Sequence, residues 1–251
     1  MRHKLPLLLV TFALALGLAP AAYADLARGK QAFEKKNYKQ ALAELTPESR
    51  RGNMEAAFLL GRMYAEGLGV ERDDQRAFEL FDKAASANHA GAQGMVGMFY
   101  AQGRGGVMRD NTKSVEWTRR AAENGDALSQ YMMGVRSLDG LGVPKNPDDA
   151  VAWFGGAAEQ NYPLAQYALG VLIGFGPQAK GEAAQARELR IEGTKWLLLA
   201  LRQKAQELPN AQAKVDELKK SMQPKEVMEA DQRARKWRPV KEPKAAAAPK
   251  K

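Results

Sequence analysis

The sequence predicts an all-α fold, an α/α solenoid of stacked helix pairs, and three in-phase series carry that prediction. One glycine series runs Gly61, Gly97, Gly134 and Gly170, at spacings of 36, 37 and 36. A second runs Gly67, Gly103, Gly140 and Gly176 at the same spacings. An alanine pair recurs as Ala84-Ala85, Ala121-Ala122 and Ala157-Ala158. Series that hold one phase mark a repeated unit. A unit of two helices cannot bury its own apolar face, so it stacks on its copies.

Taken in chain order, residues 1–24 read as a signal peptide. Arg2 and Lys4 precede an apolar stretch from Leu5 to Leu18, and Ala22-Tyr23-Ala24 is a small-x-small cleavage site. Cleavage is expected before Asp25, leaving a periplasmic or secreted mature chain. Residues 25–53 read as a short helix pair turning at Asn37. Residues 54–204 hold the solenoid, with repeats at about 54–89, 90–125, 126–162 and 163–204. Residues 205–240 read as capping helices with apolar stripes Val215, Leu218, Met222 and Val227, Ala230, Ala234, Trp237. Residues 241–251 are a low-complexity basic tail, expected to be disordered.

Within a repeat, helix A covers about Glu55–Glu66 in the first copy and contains the inner glycine. Mid-helix glycine costs about 1 kcal/mol against alanine, so its repeated use predicts that another helix approaches the backbone there. Helix B covers about Asp74–Ala87. Asp73, Asp110 and Asn146 share one repeat position and can cap its start. Pro147 with Asp148 and Asp149 suits a first turn. Gly52, Asn88, Gly125 and Asn161 fall just past the end of helix B, where a left-handed residue closes a helix. Ala77, Leu80, Phe81 and Ala84 recur three and four apart as a packing face. The fourth copy starts with Ala165, Leu169-Gly170 and Gly176, then departs through Pro177 and an insert. Trp196 precedes Ala200 by four, as Trp117 precedes Ala121, which predicts a fourth repeat with a stretched loop.

With these residues in view, the repeat resembles the Sel1-like family, a relative of the tetratricopeptide repeat. The first copy carries the pattern as Ala56, Leu60-Gly61, Tyr64, Gly67-Leu68-Gly69-Val70, Asp73, Ala77, Leu80-Phe81 and Ala84-Ala85. The second copy adds Trp117 and Gly125, and the third adds Trp153. The resemblance covers about residues 26–240. It implies a right-handed solenoid, a tetratricopeptide-like pair at residues 25–53, and a non-enzymatic scaffold for other envelope proteins or peptides in envelope assembly, signalling or secretion; no cofactor is expected. In the related fold, helix A positions three before, one after and four after the inner glycine face a concave groove. Carried onto this sequence, they give a candidate partner groove of Phe58, Arg62, Met98, Tyr131, Val135, Leu138, Tyr167 and Val171. The alternative is that these residues pack on neighbouring helices or on the chain's own C-terminal helices.

Composition removes several chemistries. There is no cysteine, so disulfides, thiol catalysis and cysteine–metal sites are excluded. His89 is the only histidine past residue 24 and is expected at an exposed junction between repeats. The pair Gly67 and Gly69 invites a nucleotide-binding reading. A helix rather than a strand precedes it, however, and no third glycine or Gly-Lys-Ser/Thr follows. No catalytic, cofactor-binding or metal residue is assigned. Net charge is +9, distributed unevenly. Residues 25–179 hold 18 basic against 19 acidic side chains, residues 180–251 hold 18 against 10. The basic C-terminal part keeps open a binder of anionic envelope polymer or a membrane surface. Secretion argues against nucleic acid. A cell-wall hydrolase is a third reading, and it would need a catalytic domain for which no residues remain.

Overall fold

The computed structural model describes residues 19–240 except 182, 204–207 and 209, with side chains from residue 25. The expected signal segment therefore lies outside the described residues, apart from the backbone of residues 19–24, and so does the tail at 241–251. The described residues are helical, without strands. Two helices, α1 (Ala19–Glu34) and α2 (Tyr38–Arg50), precede the repeats. Three pairs follow: α3 (Met54–Glu66) with α4 (Asp74–Ser86), α5 (Ala90–Gln102) with α6 (Asn111–Glu123), and α7 (Ala127–Asp139) with α8 (Pro147–Glu159). The fourth pair is α9 (Pro163–Gly174) and α10 (Ala184–Arg202), with a 3-10 turn at Pro177–Ala179 between them. The chain closes with α11 (Ala211–Lys220) and α12 (Pro224–Lys236). Each helix through α10 packs on its sequence neighbours, so the odd and even helices form the two layers of an α/α solenoid.

The inner glycines do what their recurrence predicts. A Cβ at Gly61 would lie 2.6 Å from the Phe81 ring, and one at Gly134 would lie 2.5 Å from Phe154. At Gly97 it would meet the Thr118 hydroxyl at 2.7 Å, and at Gly170 the Gly193 carbonyl at 2.9 Å. Each glycine thus lets the even helix of its own pair rest on the backbone of the odd one. Phe81, Phe154 and Leu197 are fully buried at these contacts.

The helix ends follow local chemistry. Asp73 and Asp110 accept from Arg76 N and Lys113 N at 2.9 Å, and Asn146 accepts from Asp148 N at 3.0 Å. Asn88 and Asn161 take φ of 64° and 66°, and Gly52 and Gly125 take 92° and 89°, as the end of each even helix requires. Gly67, Gly103 and Gly140 close the odd helices in the left-handed conformation.

The fourth repeat corrects one expectation. Trp153 and Trp196 stand 43 residues apart instead of 36 or 37. The extra residues do not form a long loop. Most extend α10 at its start, making it 19 residues long where α8 has 13.

Three buried glutamines tie repeats together. Gln93, Gln130 and Gln166 donate through Nε2 to the carbonyls of Ala85, Ala122 and Ala158, near the end of the preceding even helix. Their Oε1 atoms accept from Asn124, Gln160 and Gln203 at 2.8, 2.8 and 2.9 Å, the last of these at the end of α10. Each buried amide is satisfied on both sides, as burial requires.

The glycine contacts predict opposite effects of one substitution within one repeat. Gly134→Ala should destabilise by about 1–3 kcal/mol, because the added carbon has to push the Phe154 ring. Gly155, in α8, has open space around its Cβ position. Gly155→Ala should therefore stabilise by about 0.5–1 kcal/mol. Urea denaturation of both variants checks this, and a stabilising Gly134→Ala would disprove the close-approach explanation.

Candidate functional site

The odd helices carry the residues proposed to face a partner. Tyr131, Val135 and Leu138 of α7 meet Tyr167 and Val171 of α9 around one concavity of about 390 Å³. Phe154 of α8 and Leu208 also border it, and among the described residues Asp139 is the one charged side chain in its walls. Tyr131 packs tilted against its neighbours, with ring centroids 5.7 Å from Phe154 and 5.5 Å from Tyr162. Burial, together with the nearby Tyr131 and Asp126, pushes the Tyr162 phenol pKa up. The wall is thus mainly aromatic and aliphatic, with Asp139 at its edge.

Phe58, Arg62 and Met98 do not reach this concavity. The Phe58 ring lies 4.6 Å from the His89 ring and 6.0 Å from Phe81, half-buried against the core. Arg62 covers the Phe33 ring at 5.0 Å and pairs with Glu66 at 3.2 Å. The break has a sequence cause. The position of Phe58, Tyr131 and Tyr167 is taken in the second repeat by Gly94, where a Cβ would lie 2.6 Å from the Ser129 hydroxyl. No aromatic stripe can cross that repeat. At the other end, Tyr167 and Val171 pack on a cluster containing Val215 and Leu218 of α11. The C-terminal helices therefore close one end of the groove and leave an opening between the third and fourth repeats.

His89 is not the exposed residue the sequence suggested. Its Nδ1 accepts from Ala92 N at 3.2 Å and caps α5. That bond fixes the tautomer, so Nε2 carries the hydrogen and donates to Glu55 Oε2 at 2.9 Å. Lys30 reaches the other carboxylate oxygen at 2.7 Å. The His89 hydrogen bond, with Lys30, outweighs burial and holds the Glu55 carboxyl at about 2. A histidine engaged on both nitrogens serves the joint between repeats.

The basic C-terminal part is less available than its composition implies. Arg233 of α12 pairs with Glu188, Glu192 and Glu229, joining α12 to α10. Lys195 pairs with Glu192 at 2.5 Å, and Lys219 with Asp231 at 3.4 Å. Arg202 donates to the Ala234 carbonyl at 2.6 Å. Trp237 stacks edge-on to Trp196 at 5.8 Å and donates to Glu159 at 3.1 Å. Arg233 and Arg202 thus attach α12 to α10.

Comparison with known proteins places this geometry. The profile of the Sel1 repeat matches residues 55–89, 90–126, 127–162 and 163–189. A crystal structure of a Sel1 repeat protein from Oxalobacter formigenes is similar at a TM-score of 0.59 and 28% identity, over 78% of this chain and 82% of that one. A second, c5321 of uropathogenic Escherichia coli, described as a protective antigen with an SLR fold, is similar at a TM-score of 0.60 and 25% identity, over 85% of this chain and 45% of that one. Among curated proteins, the chitin synthase regulator SKT5 of Saccharomyces cerevisiae is 34% identical over 101 residues, 39% of this chain. The chain spans about 14% of the length of that relative.

The Glu55 joint predicts a pH dependence. A carboxyl depressed from 4.5 to about 2 adds stability that is complete above 4.5 and disappears as the pH falls through that window towards 2. Wild type should therefore melt above Glu55→Gln at pH 7, and the gap should close between pH 4.5 and 2. Thermal melts of the two proteins across this range give the test, and a gap unchanged by pH would refute the joint.

Proposed function

The chain belongs to the Sel1 repeat family, and from that premise we propose that it is a non-catalytic scaffold outside the cytoplasm, binding a peptide segment of another envelope protein. Sel1 repeat proteins in general mediate protein–protein contacts. The concavity between the third and fourth repeats supports the finer reading. Its aromatic and aliphatic walls suit an extended or helical apolar segment, and Asp139 at its edge favours a flanking cation. The amino-terminal pattern of residues 1–24 supports export, with a mature chain starting at Asp25. One relative bears a regulator's name rather than an enzyme's, which agrees with a binding role.

Photo-crosslinking in cells tests the site. A photoreactive phenylalanine at Leu138 should capture a discrete envelope protein, and the same group at Met98 should not. With the captured partner purified, Leu138→Lys should weaken binding at least tenfold, about 1.4 kcal/mol. A folded Leu138→Lys protein that binds its partner unchanged would rule out this concavity.

A further inference from the structure

The departure of the fourth repeat builds a second concavity, of about 350 Å³, which the groove does not include. Phe175 and Lys180 form one wall, and Glu217, Leu218 and Ser221 of α11 and its end form the other. Arg190 of α10 stands at the back, only 6% exposed. Its Nη1 donates to the carbonyls of Ala179 and Gly181 at 2.7 and 2.8 Å. Those bonds hold the turn after α9 and use one edge of the guanidinium. On the other edge, Nε is buried and has no hydrogen-bond partner among the described residues. Among the described residues no carboxylate pairs with Arg190, whereas Arg233 on α12 has three.

We propose that this concavity is a binding site for a carboxylate carried on an apolar body, held by the free Nε–Nη2 edge of Arg190. A buried guanidinium without an anion is unfavourable, and an incoming carboxylate relieves that cost. Two parallel N–H groups on one edge match the two oxygens of a carboxylate. Among the described residues Lys180 and Arg190 stand against Glu217, with which Lys214 also pairs, so the walls favour an anion. Lys214, 3.0 Å from Glu217 and 4.4 Å over the Phe175 ring, borders the same rim. Phe175 and Leu218 supply the apolar surface. The carboxylate can be a peptide's C-terminus or that of a free small acid. The other repeats lack the insert that places Arg190, so the site occurs once.

The test uses the full-length protein and the Arg190 Nε–H resonance in NMR. Acetyl-Ala-Ala-Leu as the acid should shift this resonance saturably, and its C-terminal amide should not at tenfold higher concentration. Isovalerate is the comparison ligand. Weaker binding than the peptide acid identifies a peptide terminus, and equal binding identifies a free acid. Arg190→Gln removes the turn's anchor and can unfold the region, so exposed positions carry the mutational test. Lys180→Gln should weaken acid binding about threefold, and Glu217→Gln should tighten it about threefold. Glu182 lies outside the described residues, and Glu182→Gln checks it as an internal counter-ion. The site is refuted if acid and amide shift the resonance equally or neither does. It is also refuted if phosphate binds more tightly than the acid, or if Glu182→Gln alone moves the resonance as ligand should.

Discussion

The structure depends on one constraint: in every repeat, the even helix rests directly on the backbone of the odd helix at the inner glycine. Two solutions alternate along the chain. At Gly61 and Gly134 a phenylalanine ring presses against the helix backbone. At Gly97 and Gly170 the partner backbone itself comes close, with Thr118 N at 3.1 Å and the Gly193 carbonyl at 2.9 Å from a Cβ placed there. In both solutions the odd helix cannot carry a side chain at that point. The glycine gives up about 1 kcal/mol of helix propensity, and burying a phenylalanine side chain returns roughly 1.5–3 kcal/mol. The balance favours glycine because the contact it permits is larger than the propensity it loses.

Close packing within a pair leaves the stacking of pairs to be specified, and the buried amides do this. Apolar surfaces alone permit a pair to slide on its neighbour. A glutamine that must reach a carbonyl in the preceding repeat and accept from an amide at the end of its own repeat's even helix permits one register. The links start at Ala85 and end at Gln203, so they span the joints among all four repeats. The first repeat has Ala57 at the glutamine position. There the joint to the amino-terminal pair uses apolar packing around Leu45, Leu59 and Leu60.

The period, the pairing, the glycine contacts and the helix ends were legible in the sequence because each imposes a residue type at a fixed position. A left-handed residue has to be glycine or asparagine, and a cap needs a short oxygen-bearing side chain. The glutamines were equally periodic, four residues before Gly97, Gly134 and Gly170. They went unread because an isolated glutamine on a helix ordinarily faces solvent. His89 was misread for a related reason: its position holds Asn53, Asp126 and Tyr162 in other copies, and only the bond to Ala92 N identifies it as a cap. The groove was legible as a stripe but not in extent. Its interruption follows from Gly94, and its closed end follows from α11, which no repeat pattern predicts.

The fourth repeat departs from the other three first in its loop. In the first three loops the second glycine lies against the preceding even helix: Gly69 on Tyr38, Gly105 on Phe78 and Gly142 on Val115. The fourth loop has no such glycine, because Pro177 and Gln178 follow Gly176. The equivalent of Val115 is Val151, and it borders a concavity of about 450 Å³ instead of a packed turn. The same insert lengthens α10 and brings Arg190 under the turn. A solenoid can accept this only at its last repeat, where no further pair has to stack on the altered loop. Most residues that packing requires recur from copy to copy, whereas Arg190 belongs to the end of the array, where α11 and α12 replace the missing neighbour.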